Sequence, residues 1–146
     1  MIREKEARDT PIIMDIWLRA NIQAHPFLTE SYWQDNQSIV EQHYLPIADT
    51  LVAEIEGRIA GFISIIENNF IGALFIDPKE QGKGLGASLI QAAKERYSCL
   101  ELGVYAENER AVSFYARCGF AIKSKQPNED SGHTEYTMIW SAHSQQ

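Results

Sequence analysis

The apolar positions of the chain change period twice. Ile12, Ile13, Ile16, Trp17 and Ala20 recur at helical spacing, so they share one face of a 3.6-residue repeat. Thr10 stands where an N-cap is wanted, with Pro11 at the first helical position. Pro26 breaks this helix, and Thr29 can cap a second one carrying Tyr32, Trp33, Ile39, Val40 and Tyr44 until Pro46 stops it. From Thr50 the pattern becomes β-branched and aromatic. The run TLVAEIEGRIAGFISIIENNFIGALFIDP reads as three strands of an antiparallel meander, turning at Glu56-Gly57 and Asn68-Asn69.

After Pro78 the helical period returns, with Leu85, Leu89, Ala92 and Ala93 on one face. Then come the strand CLELGVYA (99–106), a short helix over NERAVSFYARC, the strand GFAIKSK and the strand HTEYTMIW, before a polar tail over 141–146. A short strand in MIREKEAR precedes them all. The order is strand, two helices, three strands, helix, strand, helix, two strands. It predicts mixed α/β (α+β) architecture, a central sheet covered by helices.

At 146 residues the chain has the size of one domain, so 1–146 is expected to fold as a single unit. No apolar run reaches the roughly 20 residues that span a bilayer. The charged N-terminus MIREKEARDT has no apolar signal core, which makes cytoplasm the default and a membrane partner unexpected. A net charge of −7 argues against wrapping nucleic acid, whose binding needs clustered Lys and Arg; it favours, weakly, a cationic substrate. Cys99 and Cys118 lack metal-ligand spacing and read as reduced, mostly buried thiols, and no metal site is expected.

Three glycines, Gly82, Gly84 and Gly86, open the helix after Ile76-Asp77-Pro78. Unpaired backbone N–H groups at such a helix start converge on an anion. Lys83 can add charge, and the Ser88 hydroxyl lies one turn in. A nucleotide-triphosphate loop would need G-x-x-x-x-G-K-[ST], which is missing. Gly82-x-Gly84-x-x-Ala87 does match a dinucleotide fingerprint, with Glu101 further on. Five residues separate it from its strand, however, and too little chain follows for a doubly wound sheet. A glycine-rich turn with no ligand is the remaining plain reading.

Gln81-x-x-Gly84-x-Gly86 after ALFIDP, followed by NERAVSFYARCGF, resembles the GNAT superfamily of acyl-CoA-dependent N-acetyltransferases, and in particular its small bacterial members of the YiaC and YjaB type. The segment from Trp17 to Leu28, W-L-R-A-N and H-P-F-L, adds to the likeness. The resemblance implies a GNAT-like fold with a mostly antiparallel, twisted central sheet of about six to seven strands flanked by about four helices. It also implies acetyl-CoA as cosubstrate, its pyrophosphate held by the loop from Gln81 through Lys83, Leu85 and Ala87, and its pantetheine arm by Leu74, Phe75 and Ile76. A bulge in that strand would aim an N–H at the thioester carbonyl.

Asn108 and Tyr115 are seven residues apart, so they share a helix face with the small Ala111 between them. The plain reading is an Asn N-cap and a half-buried tyrosine. By resemblance, Asn108 contacts the cofactor and Tyr115 is the general acid for the departing thiolate, a role a phenol can fill. A glutamate that some relatives carry is replaced here by Gly103. The candidates for a base are then Glu101, Glu67 and His25, each with a structural alternative. Trp17, Phe27, Tyr32 and Trp33 read as core, one or two of them lining an acceptor pocket. The resemblance implies direct transfer to a primary amine, on a peptide, protein or small molecule, by a monomer or homodimer. A non-catalytic acyl-CoA-binding module is the alternative.

Overall fold

The computed structural model describes residues 1–67 and 69–144. In chain order these form β1 (Ile2–Glu4), α1 (Thr10–Ala24), α2 (Glu30–Ile39), β2 (Asp49–Ile55), β3 (Arg58–Ile66), β4 (Phe70–Ile76), α3 (Leu85–Arg96), β5 (Cys99–Tyr105), α4 (Glu109–Arg117), β6 (Ala121–Pro127) and β7 (Thr134–Ser141). The strands make one sheet in the order β1-β2-β3-β4-β5-β7-β6. Only β4 and β5 run parallel; the other five pairings are antiparallel. The α3 crossover between β4 and β5 is therefore a lone βαβ unit, unlike the repeated units of a dinucleotide-binding sheet.

Strand alternation divides the core in two. Leu51, Ile63, Ile71, Leu102 and Met138 point to one face, where Leu89, Ile90 and Ala93 of α3 cover them. Val52, Phe62 and Tyr105 point to the other, against Ile13, Ile16 and Trp17 of α1 and Trp33 of α2. β3 has its apolar side chains buried on both faces, which is why it reads as an almost unbroken apolar run.

Four local expectations are adjusted. The N-cap position of α1 is Asp9, one residue before Thr10; its buried carboxylate accepts from Arg3 Nη1 at 2.8 Å and Nη2 at 3.1 Å, and from the Glu6 N–H at 2.7 Å. Arg3 holds that carboxyl below its usual range, chiefly through these hydrogen bonds. Second, α2 does not run as an α-helix to Pro46: it widens into a π-turn over Val40–Tyr44, and Leu45 then enters the core. Third, the residues at 141–146 do not begin as a free tail, because Ser141 closes β7 and Ala142–Ser144 make a 3₁₀ turn; Gln145 and Gln146 lie outside the described residues. Fourth, both thiols are half-buried rather than mostly buried. Thr29 does cap α2, accepting from the Tyr32 N–H, and Glu56 and Gly57 both take positive φ in the β2–β3 turn. Asn68 of the second expected turn lies outside the described residues.

Candidate active site

The parallel pairing of β4 with β5 lasts two residues, Phe70 opposite Glu101 and Ile71 opposite Leu102. At Gly72 the ladder with β3 slips: Ser64 faces Ala73 while Ile65 faces Ile71, so Gly72 is the extra residue of a bulge. Beyond it β4 stays with β3 and β5 stays with β7. The edges of Gly72–Ile76 and Gly103–Tyr105 part, and the sheet opens in a V. A cleft of about 1170 Å³ runs through this gap, lined by Gly72, Leu74, Ile76, Gly103 and Tyr105 on the strands and by residues of all four helices. Among the described residues the backbone of β4 from Gly72 onward has no strand partner on this side, so its donors and acceptors are left for a ligand. Leu74, Phe75 and Ile76 lie on this edge; Gly72 and Ala73 were not singled out, because the position of a bulge depends on a register the sequence does not display.

The glycine loop closes one end of the cleft. Gly84 is the N-cap residue of α3 with φ 79°, a left-handed conformation costly for other residues. It brings no side chain to cap the first turn, so the N–H groups at the start of α3 remain open beside Gln81, Gly82, Gly86 and Ala87, all of which line the cleft. The Gln81 side chain ties the loop down by donating to the Ile76 carbonyl at 3.3 Å and to Gln23 Oε1 at 3.1 Å. Gly86 faces α4: a Cβ there would lie 3.1 Å from Phe114 Cζ.

Two expected phosphate contacts are redirected. Lys83 Nζ sits 2.6 Å from Glu80, whose nearly buried carboxylate also takes Arg58 at 2.5 Å, so the lysine anchors the loop instead of lining the cleft. These hydrogen bonds, that of Lys83 first, hold the Glu80 carboxyl below its usual range. Ser88 is exposed, and its hydroxyl donates back to the Gly84 carbonyl.

Asn108, Ala111 and Tyr115 of the second motif all line the cleft. Asn108 caps α4, Oδ1 accepting from the Ala111 N–H at 3.2 Å. Its amide nitrogen is then free to donate, and it lies 3.3 Å from His25 Nε2. The other ring nitrogen of His25, Nδ1, donates to the Asn21 carbonyl at 3.0 Å. That fixes a neutral tautomer with Nε2 accepting from Asn108. Burial also pushes His25 down from its ordinary value. The ring stacks on Trp33 and meets Phe27 and Tyr105 edge-on. Tyr115 packs on Phe114 and Phe120. Burial raises its phenol, with Cys118 adding to the effect, and the hydroxyl stays protonated at neutral pH.

Of the three carboxylate and imidazole groups expected near a base position, only His25 lines the cleft, and its Nε2 is occupied. Glu67 sits in the β3–β4 turn with positive φ, exposed and away from the gap. Glu101 faces Lys123 at 3.6 Å. Sequence reading did not single out Glu135 on β7, opposite Tyr105. Its Oε2 lies 3.5 Å from where a Cβ on Gly103 would stand. Tyr32, Trp17 and Trp33 line the α1–α2 side of the cleft, joined by Val40 and Tyr44 of the π-turn. Among the described residues no group of His, Cys, Asp and Glu could hold a metal ion, and no helix is long and apolar enough to cross a membrane.

Residues 20–142 match the family model described as "Acetyltransferase (GNAT) domain". The chain is 35% identical over 140 residues to the peptidyl-lysine N-acetyltransferase YiaC of Escherichia coli, covering 96% of each chain. It is 31% identical over 132 residues to the peptidyl-lysine N-acetyltransferase YjaB of the same organism, covering 90% of this chain and 88% of that one. The solution structure of the apo form of YjaB superimposes with a TM-score of 0.83 at 28% identity, over 96% of both chains.

Proposed function

Because the chain belongs to the GNAT acetyltransferase family, we propose that it moves an acetyl group from acetyl-CoA to the side-chain amine of a peptide lysine, in one direct step. The observation that carries the cosubstrate is the opened β4 edge ending at the Gly84 helix start. An extended chain of amides with a pyrophosphate at one end fits that edge and that anion site together. Leu74, Phe75 and Ile76 would hold the pantetheine arm, and the amides from Gln81 to Ala87 the pyrophosphate. When bound, the thioester supplies the electrophilic carbonyl. A backbone donor freed at the Gly72 bulge, turned to that oxygen, would lower the barrier by about 3 kcal/mol.

The acceptor comes from the α1–α2 face. The amine nitrogen attacks the carbonyl carbon, the carbon–sulfur bond breaks, and Tyr115 gives its proton to the sulfur. Burial keeps the phenol protonated at neutral pH, so its O–H is available to donate to the sulfur as negative charge builds there. Cys118 ends α4 with its thiol raised by burial, the opposite of what a covalent acyl carrier needs. Peptide lysine is preferred over other amines because YiaC and YjaB, which match at 35% and 31% identity over 90% or more of this chain, carry that name. The net charge of −7 suits a cationic acceptor. Cytoplasm is the proposed location.

Tyr115→Phe tests the reading. Turnover with a lysine peptide falls 10²-fold or more, while coenzyme A affinity, read by calorimetry, moves less than threefold. An unchanged turnover removes Tyr115 from the chemistry.

A further inference from the structure

Direct transfer requires a neutral amine. A lysine ammonium with pKa near 10.4 is neutral about once in 2,500 molecules at pH 7, so a group beside the gap that accepts its proton raises the rate. Four of the groups on this side are already engaged. His25 Nε2 accepts from Asn108, the Tyr105 hydroxyl pairs with Ser131, Glu107 holds His133 at 2.7 Å, and Glu101 faces Lys123.

Glu135 differs. Leu102 and Val104 point to the α3 face and Tyr105 to the α1–α2 face, so the empty side-chain position of Gly103 opens on the acceptor face. The Glu135 carboxylate lies over that opening, Oε2 at 3.5 Å and Cδ at 3.9 Å from the vacant Cβ position. Its Oε2 accepts from the Asn128 amide at 3.1 Å, and among the described residues Oε1 has no hydrogen-bond partner. Asn128 is itself fixed, its Oδ1 accepting from the Asp130 and Ser131 N–H groups. The half-buried carboxylate is thus held behind Gly103, a groove-lining residue with no side chain to block it: the nearer oxygen, Oε2, accepts from Asn128 and keeps lone pairs for a further donor, while Oε1 lies more than 4 Å from the vacant Cβ position.

We infer that Glu135 is the general base of this enzyme, reaching the acceptor amine across Gly103 from the neighbouring strand. This rests on the acetyl-transfer reading above. The ammonium proton passes to the Glu135 carboxylate and on to water, the nitrogen lone pair forms the new carbon–nitrogen bond, and the carbon–sulfur bond breaks. Tyr115 protonates the departing sulfur and the second proton from nitrogen restores its phenol, so amide, thiol and one proton leave. The groups that titrate or carry charge around Glu135 are Tyr105 opposite it on β5, Glu101 and Lys123 further along the same face, and the Glu107–His133 pair and Asp130 beside the β6–β7 loop.

The test uses the full chain with Glu135→Gln, whose side-chain oxygen can still accept from Asn128. With a lysine peptide at pH 7, kcat/KM falls 10²-fold or more. As the lysine is replaced by isosteres of lower basicity, the deficit shrinks toward tenfold for each unit of amine pKa, because less deprotonation is asked of the enzyme. Coenzyme A affinity by calorimetry stays within twofold, and the melting temperature is unchanged. Adding Gly103→Glu to Glu135→Gln returns a carboxylate to the same face and recovers at least tenfold. A wild-type rate in Glu135→Gln, or a loss equal for every amine, overturns the inference and assigns Glu135 to holding the β6–β7 loop. The amine series decides this without the double variant. A wild-type protein that binds coenzyme A and acetylates no amine sinks the acetyl-transfer reading itself.

Discussion

Asn108→Ala should destabilise the protein by about 2 kcal/mol, through two bonds that can be separated. Losing the Oδ1 cap on the Ala111 N–H costs about 1 kcal/mol, the usual value for an N-cap. Losing the amide donor to His25 Nε2 costs about 1 more, because His25 is only 7% exposed and its nitrogen is left without a partner. For 146 residues, an unfolding entropy of about 2.1 cal/mol/K per residue gives roughly 0.3 kcal/mol/K, so the melting temperature drops by about 6 °C. Asn108→Ser retains a capping oxygen and loses the link to His25, and should recover about half of the loss. Urea and thermal unfolding of the three proteins, with a cycle through His25→Ala, read both parts. An Asn108→Ala protein within about 0.5 kcal/mol of wild type, or a serine variant no better than alanine, refutes the assignment. So does a coupling energy between Asn108 and His25 near zero.

Two further outcomes follow from the loop and from acid. Gly84→Ala meets no atom within 4 Å, so its cost is the left-handed backbone alone, about 1 kcal/mol by unfolding. Coenzyme A affinity should fall further than that, since the methyl stands among the phosphate-binding amides; equal stability and equal affinity would contradict the site. Stability should fall on acidification in two stages. Burial depresses His25, so its contribution is complete above its unfolded pKa near 6.5 and is lost as pH falls below it. Asp9 and Asp77 are depressed chiefly by hydrogen bonds from Arg3 and Arg19, so their share is complete above about pH 4 and disappears below. Urea midpoints from pH 7.5 to 3 show both stages in wild type and the lower one alone in His25→Gln; a flat profile between 7 and 5 would count against the buried neutral imidazole.

What the chain displayed in advance was local. Helix faces, the Thr29 cap and the Glu56-Gly57 turn are written in residue type within a few positions, and the structure keeps them. The glycine loop was legible for the same reason, since Gly84 must take positive φ where it stands. The departures turn on which side chains pair and on strand register, neither of which residue type displays. Lys83 lines no cleft because Glu80 sits between it and Arg58. Asp9 displaces Thr10 because Arg3 claims its carboxylate. The gap itself needs the β3–β4 register to slip at Gly72 and β7 to insert beside β5. Glu135 was silent for that reason: position 103 looked like a carboxylate lost, and only the β5–β7 register shows another beside it.

The most direct measurement is thiol release from acetyl-CoA by the wild-type protein with a lysine peptide, matched against acetylated peptide by mass spectrometry. One side-chain amine should be acetylated for each thiol released, with no acetyl group left on the enzyme. Tight coenzyme A binding with no thiol released for any peptide, N-terminal amine or polyamine would contradict it, and would leave the fold as an acyl-CoA-binding module.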